Sequence, residues 1–328
     1  MKSFPIALAF LSMTTMAMAE TPVLNVLTYD SFAADYGPGP AIAKGFEASC
    51  SCKINYITAG DGAAVLSRLK MEGSGSDADL VVGLDTTLVE TARATGLFAP
   101  LATKAPNDLP VPYADANFEP FDWGWFAFVY DNTKLANPPK SFKELAASDL
   151  KIVIEDPRSS TPGLGLVMWV KHAYGADSAN IWKGLAHNIV TVTPGWDAAY
   201  GLFLKGEADM VLSYTTSPAY HLIAEKDATK SAALFTEGHY MQVEVAGKLV
   251  ASKNQALADQ FLVYLASDTA QSVLPTTNWM YPAKTPAAGL PKGFETLIKP
   301  LKSLLYSPTE AETLRQSAVE EWQTALAK

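Results

Sequence analysis

Two short segments rich in Ser and Thr, each followed by proline, are the first places where this sequence could bind a small ligand. Ser160 and Thr161 precede a Pro-Gly pair, and the run from Tyr214 to Ser217 precedes Pro218. Proline suits the first turn of a helix, and hydroxyl groups before it can cap that helix. Free N–H groups at a helix start also attract anions such as phosphate. Capping without any ligand is the alternative interpretation for both segments.

Aromatic residues in predicted loops are a second candidate binding feature. Trp196 follows Pro194-Gly195, Tyr220 lies shortly after Tyr214, and Trp279 lies in an NWMYP turn. Aromatic faces stack on flat ligands and favour a positive charge. Packing in the core is the alternative for Trp196 and Trp279. It is the preferred interpretation for the other tryptophans considered, which are Trp123, Trp125, Trp169 and Trp182.

No catalytic motif stands out. The sequence has no nucleophile elbow, metalloprotease helix, P-loop or dinucleotide-binding fingerprint. The two cysteines, Cys50 and Cys52, could form a small disulfide or remain as buried thiols, and the four histidines show no metal-ligand spacing. These observations predict a binding protein and not an enzyme, with no metal and no cofactor.

Length and charge limit the class of protein. The chain has 328 residues, 48% of them hydrophobic, which predicts two domains, each with its own hydrophobic core. Its net charge of −9 argues against nucleic acid or an anionic membrane as a partner. The same charge is compatible with a cationic ligand.

The amino terminus predicts export. Residues 1–19 contain Lys2, a short apolar run and an Ala-Met-Ala sequence, which is typical of a secretory signal peptide cleaved after Ala19. The apolar run is too short to span a bilayer, and no cysteine is placed to carry a lipid anchor. We therefore expect a protein free in an extracytoplasmic space, most simply a bacterial periplasm, without insertion into the membrane.

Strand-like and helix-like patterns alternate after Pro22, which predicts an α/β fold with mostly parallel sheets. Asp61 is well placed to cap a helix that ends near Met71, and Asp85 to cap another. The aromatic run Phe121–Asp131 predicts a long strand that passes between two domains. Ligands in such folds bind beyond the carboxyl ends of the strands. The candidate segments around Tyr29, Asp61, Ser160 and Tyr214 should therefore converge.

Six segments carry a resemblance to a known family: LTYDSFAADYGPGPAI, AGDG, EDPRSSTPGLGL, TVTPGWDAAYGLFLKGEADMVLSYTTSPAYH, EGHYMQVEV and TTNWMYPA. Together they closely resemble the periplasmic thiamine-binding proteins of bacterial ABC importers, through nearly the whole mature chain. The segment KNQALADQFLVYLASDTAQ is similar to a helix of periplasmic ferric-ion-binding and related solute-binding proteins.

The resemblance implies a two-lobed type II periplasmic solute-binding fold with a ligand cleft at the hinge. Residues 20–125 and 245–282 would form the first lobe, 126–244 the second, and 283–328 a carboxyl-terminal helical segment packed on both. The ligand-binding positions that it implies are Tyr29, Tyr36, Asp61, Gly62, Ser160, Thr161, Trp196, Tyr214, Thr215, Thr216, Ser217, Tyr220 and Trp279.

The function implied by the resemblance is capture of thiamine, thiamine phosphate and thiamine diphosphate by a monomer that delivers them to a membrane permease. The aromatic residues would stack on the cationic ligand, Asp61 would accept a hydrogen bond or supply negative charge, and the helix starts would hold a phosphate. Two alternatives stay open. One is a thiaminase-like enzyme of the same fold using Cys50 or Cys52, and the other is a ferric-ion binder using Tyr214 and Tyr220.

Overall fold

Strands flanked by helices make up most of the protein in the computed structural model, which describes residues 21–327. The strands are β1 (Val23–Thr28), β2 (Lys53–Thr58), β3 (Leu80–Asp85), β4 (Glu119–Asp131), β5 (Ile152–Glu155), β6 (Ile189–Thr193), β7 (Met210–Tyr214), β8 (Lys230–Ala232), β9 (His239–Lys248), β10 (Tyr281–Pro282) and β11 (Ser303–Leu304). The predicted signal peptide, residues 1–19, lies outside the described residues.

The helices cover both faces of the sheet. They are α1 (Asp30–Ala33), α2 (Gly39–Cys50), α3 (Gly62–Glu72), α4 (Val89–Ala94), α5 (Phe142–Ala146), α6 (Thr161–Tyr174), α7 (Ser178–Leu185), α8 (Trp196–Leu204), α9 (Pro218–Tyr220), α10 (Gln255–Leu265), α11 (Asp268–Gln271), α12 (Leu274–Thr277) and α13 (Pro308–Leu326). Within residues 21–327, none of these helices combines the length and the apolar character needed to cross a bilayer.

The sheet order is β2-β1-β3-β9-β4-β7-β5-β6, with β8 and β10 paired to β4 and β11 paired to β9. The sheet has two similar halves. In one half β2, β1 and β3 are parallel, and in the other β7, β5 and β6 are parallel. The strands β9 and β4 run antiparallel to their neighbours in the main sheet. The predicted α/β class with mostly parallel sheets is confirmed.

One long strand joins the two halves. The first part of β4, Glu119 to Trp125, pairs with β9, and the next part, Phe126 to Tyr130, pairs with β7. The sequence analysis predicted that this aromatic strand passes between two domains, and the change of partner occurs after Trp125. The lobe boundaries themselves stay a prediction.

Each half has an aromatic core. Phe46 packs against Phe261 in the first half, with the rings at right angles, and Phe142 packs against Trp169 and Phe235 in the second. Trp169 and Trp182 are buried as the sequence analysis expected. Trp123 and Trp125 are half-buried instead, because they cover the junction with the segment after Trp279, where Trp123 stacks on Tyr281.

Two predicted helix caps differ from the structure. Asp61 occupies the position before α3, but its side chain makes no capping hydrogen bond. Asp85 accepts a hydrogen bond from the Thr87 N–H, and the next helix, α4, begins only at Val89. Asp61 has partners in the tertiary structure, Ser160 and Trp196, which rules based on neighbours in the chain do not include. The bond of Asp85 to Thr87 is local, and it forms in a turn that precedes the helix.

The two cysteines and the last helix lie away from the cavity described below. Cys50 and Cys52 form a disulfide at the end of α2, and neither residue lines the ligand-sized cavity described below. The helix α13 begins with a capping box formed by Ser307 and Glu310 and packs on α4, α6 and α7. It therefore contacts elements that belong to both halves of the sheet.

Candidate functional site

A cavity of about 540 Å³ lies where the two halves of the sheet meet. Its wall includes the first residues of three helices, Gly62 of α3, Thr161 of α6 and Trp196 of α8, together with Ser217 before α9. Each of these follows the carboxyl end of a strand. The convergence that the sequence predicted is therefore present, in a volume typical of small-molecule sites.

The structure brings most of the candidate residues to this cavity. The candidates that line it are Tyr29, Tyr36, Asp61, Gly62, Thr161, Trp196, Tyr214, Ser217, Tyr220 and Trp279. The remaining three, Ser160, Thr215 and Thr216, are fully buried directly beside these residues and do not line the wall. They are placed to support lining residues.

The indole of Trp196 is held rigidly at the cavity wall. It stacks on Tyr200 with ring centroids 5.0 Å apart, and its Nε1–H donates to the Ser213 hydroxyl at 2.8 Å. Ser213 in turn shares a hydrogen bond with the hydroxyl of Ser217. An aromatic ring fixed in this way presents a stacking face without losing further side-chain entropy on binding.

Trp279 is held in an unusual backbone conformation. Its φ of 56° lies in the left-handed region, which a bulky residue adopts at an energetic cost. Its ring lies 5.4 Å from that of Tyr220, in an edge-to-face arrangement. The turn places the indole in the cavity wall, so the unfavourable backbone conformation serves to position this one side chain.

Asp61 joins opposite walls of the cavity. Its Oδ2 accepts hydrogen bonds from the Ser160 hydroxyl at 2.7 Å and from the Trp196 backbone N–H at 3.1 Å. Asp61 precedes α3 in the first half, whereas both donors belong to the second half. Desolvation raises the pKa of this carboxyl group to about 6, against the lowering effect of the two hydrogen bonds.

Two further contacts close the same cleft. The Tyr36 hydroxyl donates to Asp197 at 2.6 Å, and the backbone N–H of Ala64 donates to the Ser159 carbonyl at 3.0 Å. Both link the first half of the sheet to the second. The described arrangement is therefore a closed one, in which polar contacts bridge the cavity mouth.

Glycine is required at one point of closest approach. A Cβ on Gly62 would lie 2.5 Å from both the Gly83 carbonyl and the Thr161 hydroxyl oxygen. Gly83 itself has a φ of 95°, and a Cβ there would lie 2.1 Å from the ring of Tyr29. Gly83 was missed by the sequence analysis, because an isolated glycine inside a strand gives no sign of which ring packs on it.

The cavity is acidic. Three carboxylates line it, Asp61, Asp197 and Glu244, and its lining within residues 21–327 contains no lysine, arginine or histidine. Aromatic rings supply much of the remaining wall. This combination of aromatic faces and negative charge favours an aromatic cation as ligand.

A buried polar network lies beneath the cavity. Glu244 of β9 is 7% exposed and is paired in register with Asp122 of β4, which is fully buried. The Asn278 amide donates to Asp122 at 2.6 Å and to the Tyr29 hydroxyl at 3.0 Å. The Gln242 amide donates to Glu244 at 2.6 Å. The sequence analysis did not identify these four residues, because a polar residue in a strand pattern, or directly after a short helix as Asn278 is, carries no signal of burial.

A second supporting chain of contacts was also missed. His221 is buried and its two ring nitrogens bond to the Tyr200 hydroxyl at 2.9 Å and to Glu225 at 2.6 Å. Trp196 stacks on Tyr200, so these two hydrogen bonds hold in place the ring on which the indole of Trp196 packs. His221, Glu225 and Asp227 also lie within metal-ligating distance of one another. The spacing of these three residues in the sequence did not suggest a metal site.

A comparison with protein families matches residues 30–272 to the bacterial extracellular solute-binding proteins. This chain belongs to that family. The match covers most of the chain and includes strands β2 to β9, while β1 and the segment around Trp279 lie outside it.

Curated relatives confirm the resemblance that the motifs indicated. The chain is 53% identical over 311 residues to the thiamine-binding periplasmic protein of Salmonella typhimurium strain LT2, covering 94% of each chain. It is 50% identical over 325 residues to the protein of the same name from Escherichia coli K12, covering 98% of each. These relatives are named as binding proteins and not as enzymes.

Solved structures place the fold in the type II class. A periplasmic thiamin-binding protein superposes with a TM-score of 0.92 at 49% identity, covering 97% of this chain and all of that one. The ferric-binding protein from Campylobacter jejuni superposes with a TM-score of 0.75 at 20% identity, covering 92% and 99%. The second likeness shows the shared two-lobed solute-binding fold alone.

Proposed function

We propose that this protein is the periplasmic substrate-binding component of an ABC importer and that it binds thiamine in the cavity between the two halves of the sheet. The observation that carries the proposal is the composition of that cavity. It combines the indoles of Trp196 and Trp279 and the ring of Tyr220 with three carboxylates and, within residues 21–327, no basic side chain. Thiamine joins a flat aminopyrimidine to a thiazolium ring with a fixed positive charge.

The aromatic residues and the acidic residues have separate tasks in this proposal. Stacking and cation–π attraction on Trp196, Tyr220 and Trp279 contribute about 0.5 to 2 kcal/mol each. The acidic side chains orient the cationic ring in the cavity. Asp61 has two roles, because its oxygens lie at the cavity wall while one of them also holds the opposite wall.

Thiamine phosphate and thiamine diphosphate are part of the same proposal. The first turns of α3 and α6 border the cavity at Gly62 and Thr161. The N–H groups of Gly62 and Thr161 are the anion-binding groups that this site offers, because the Ala64 N–H donates to Ser159, Pro162 has no N–H, and the lining within residues 21–327 has no cationic side chain. We therefore expect the phosphate esters to bind with the phosphate directed toward these two helix starts.

Delivery depends on closure of two lobes. We take the lobes as residues 20–125 with 245–282 and residues 126–244, with residues 283–328 packed on both. The contacts across the cleft, from Asp61 to Ser160 and from Tyr36 to Asp197, support a closed state that would be stabilised by the ligand. A monomer in the periplasm, exported after cleavage at Ala19, would present this closed form to the permease. The proposal requires no metal, cofactor or catalytic step.

The direct test is calorimetric titration of the mature protein after unfolding and refolding to remove carried-over ligand. We expect saturable heat near one thiamine per chain, and saturable binding of both phosphate esters. Heat flow that continues after saturation would reveal turnover, and no heat with thiamine would contradict the proposal. Binding of thiamine without the esters would contradict only the assignment of the phosphates.

Trp196→Ala should weaken thiamine binding at least about tenfold. The substitution removes an indole that is already ordered by Tyr200 and Ser213, so a stacking face is lost without compensation. Trp196→Phe is the matched control, because it keeps a stacking ring and loses the bond to Ser213. It should retain most of the affinity. Equal titration curves for Trp196→Ala and the unmodified protein would remove this residue from the site.

A further inference from the structure

Glu244 is a buried carboxyl group whose partners are incomplete. Its side chain lines the cavity and is more than nine-tenths buried. One oxygen, Oε1, accepts from the Gln242 amide at 2.6 Å, and the other, Oε2, has no hydrogen-bond partner among residues 21–327. An unpartnered oxygen of this kind is costly in a folded protein and is a common feature of functional sites.

Asp122, which lies opposite Glu244 on the adjacent strand, is a second buried acid with only part of its hydrogen bonds formed. Asp122 accepts from the Asn278 amide through Oδ2, while its Oδ1 also lacks a partner in the described part of the chain. No lysine or arginine forms an ion pair with either group in residues 21–327. Two buried carboxyl groups on adjacent strands cannot both be charged without a large electrostatic cost.

The surroundings of Glu244 hold further negative charge. Burial, and next the charge of Asp122, hold the pKa of Glu244 well above its usual range. Burial raises the pKa of Asp122 to about 8. The other titratable groups that act on Glu244 or are acted on by it are Asp85 on β3, Asp61 before α3, Tyr29 after β1 and Tyr214 on β7. Burial and the nearby negative charges raise the pKa of Glu244 more than Tyr29, as a hydrogen-bonding neighbour, lowers it. All four groups are acids, so none of them stabilises the charged form of Glu244 by opposite charge.

We propose that Glu244 is the charge-recognising residue of the cavity: its carboxyl group is protonated in the free protein and releases that proton to solvent when a ligand with a fixed positive charge enters. The ligand brings one positive charge into the cavity and the proton takes one away, so the charge of the site is conserved. This inference rests on the proposed function, because it requires a cationic ligand.

Such an exchange provides selectivity for charge. A neutral ligand of the same shape would leave Glu244 protonated and would gain no ion pair. A cation would gain an ion pair in a desolvated cavity, where such a pair is stronger than at the surface. The proton that leaves also makes binding depend on pH. Affinity should rise with pH by up to about tenfold per pH unit while Glu244 remains protonated in the free protein.

The test measures protons and affinity together. Thiamine is titrated into the mature protein by calorimetry in two buffers of different ionisation enthalpy, between about pH 6.5 and pH 8. In this range Asp61, with a pKa of about 6, is already mostly ionised and contributes little. We expect net release of about one proton per thiamine bound, with affinity that increases with pH.

Glu244→Gln should abolish the proton release and the pH dependence in this range, and should weaken thiamine binding about 10- to 100-fold at pH 8. The substitution keeps the size of the side chain and an oxygen for Gln242. Asp122→Asn is the second variant. Asp122 is mostly protonated in the free protein over most of this range, so the substitution leaves the charge around Glu244 unchanged, and proton release and affinity should both be retained. Loss of proton release in Asp122→Asn would assign the proton to Asp122 and overturn the role of Glu244. The matched control is Glu207→Gln, an exposed residue away from the cavity.

The outcomes separate this inference from the proposed function. Failure of the unmodified protein to bind thiamine would overturn the proposed function itself. Saturable binding without proton release, or equal proton release in the unmodified protein and Glu244→Gln, would overturn the role of Glu244 alone. Thermal unfolding of each variant establishes that it is folded, and Asp122→Asn keeps the test informative if Glu244→Gln does not fold.

Discussion

Asp61→Ala should weaken thiamine binding by roughly 100-fold, about 2.7 kcal/mol. The carboxylate accepts from Ser160 and from the Trp196 backbone, and both donors lie across the cleft from it. Truncation leaves the two donors without an acceptor at the cavity wall and removes a negative charge that faces the ligand. Titration calorimetry with thiamine gives the loss directly.

Asp61→Asn is the matched variant for this prediction. Its amide oxygen can still accept from Ser160 and Trp196, while the charge is lost. Because hydrogen bonds to an ionised acceptor are roughly twice as strong as neutral ones, we expect an intermediate loss of about tenfold. Small-angle scattering provides a second measurement. The decrease in radius of gyration when thiamine closes the cleft should be smaller in Asp61→Ala than in Asp61→Asn. Unchanged affinity in Asp61→Ala would show that the bridge contributes nothing to ligand capture.

The ligand-free protein should become more stable as the pH falls from about 8 to about 6.5. Burial raises the pKa of Asp122 to about 8 and that of Glu119 to about 7, and it holds the pKa values of Glu155 and Glu244 well above their usual range. In this window the folded protein binds protons that the unfolded chain has already lost. Stability therefore falls as pH rises through these folded-state pKa values.

The size of the effect follows from the Asp122 carboxyl group. A group that is protonated in the folded state and ionised in the unfolded chain changes the free energy of unfolding by 1.36 kcal/mol per pH unit, so Asp122 contributes about 2 kcal/mol across the window. Below about pH 6.5 the buried His239, whose pKa is lowered to about 4, acts in the opposite sense. The free energy of unfolding should therefore rise less steeply as the pH falls below about 6.5.

Thermal or urea unfolding of the mature, ligand-free protein at several pH values measures this dependence. Asp122→Asn should make the profile less steep between about pH 6.5 and pH 8, because the amide does not titrate, while Glu119, Glu155 and Glu244 still contribute. The exposed Glu207→Gln should leave the profile unchanged. A protein that is equally stable across the window, or less stable at its acidic end, would show that these carboxyl groups are ionised in the folded state.

The sequence alone determined the local structure and the family. Alternating strand-like and helix-like patterns predicted the α/β class, and the aromatic run Phe121–Asp131 predicted the long strand β4 (Glu119–Asp131). The segments around Tyr29, Asp61, Ser160 and Tyr214 were predicted to converge because parallel strands bring their carboxyl ends to one edge. These features depend on neighbours in the chain or on a general rule of sheet topology, so residue order was sufficient to find them.

The partners of the polar residues depend on how distant segments pack together. Asp61 has the sequence of a helix cap, yet it bonds across the cleft to a hydroxyl that is 99 positions away in the chain. Glu244 and Asp122 look like ordinary strand residues until the sheet pairs them and buries both. Burial and charge pairing depend on contacts between distant segments, and these contacts exist only after β4 and β9 have joined the two halves of the sheet.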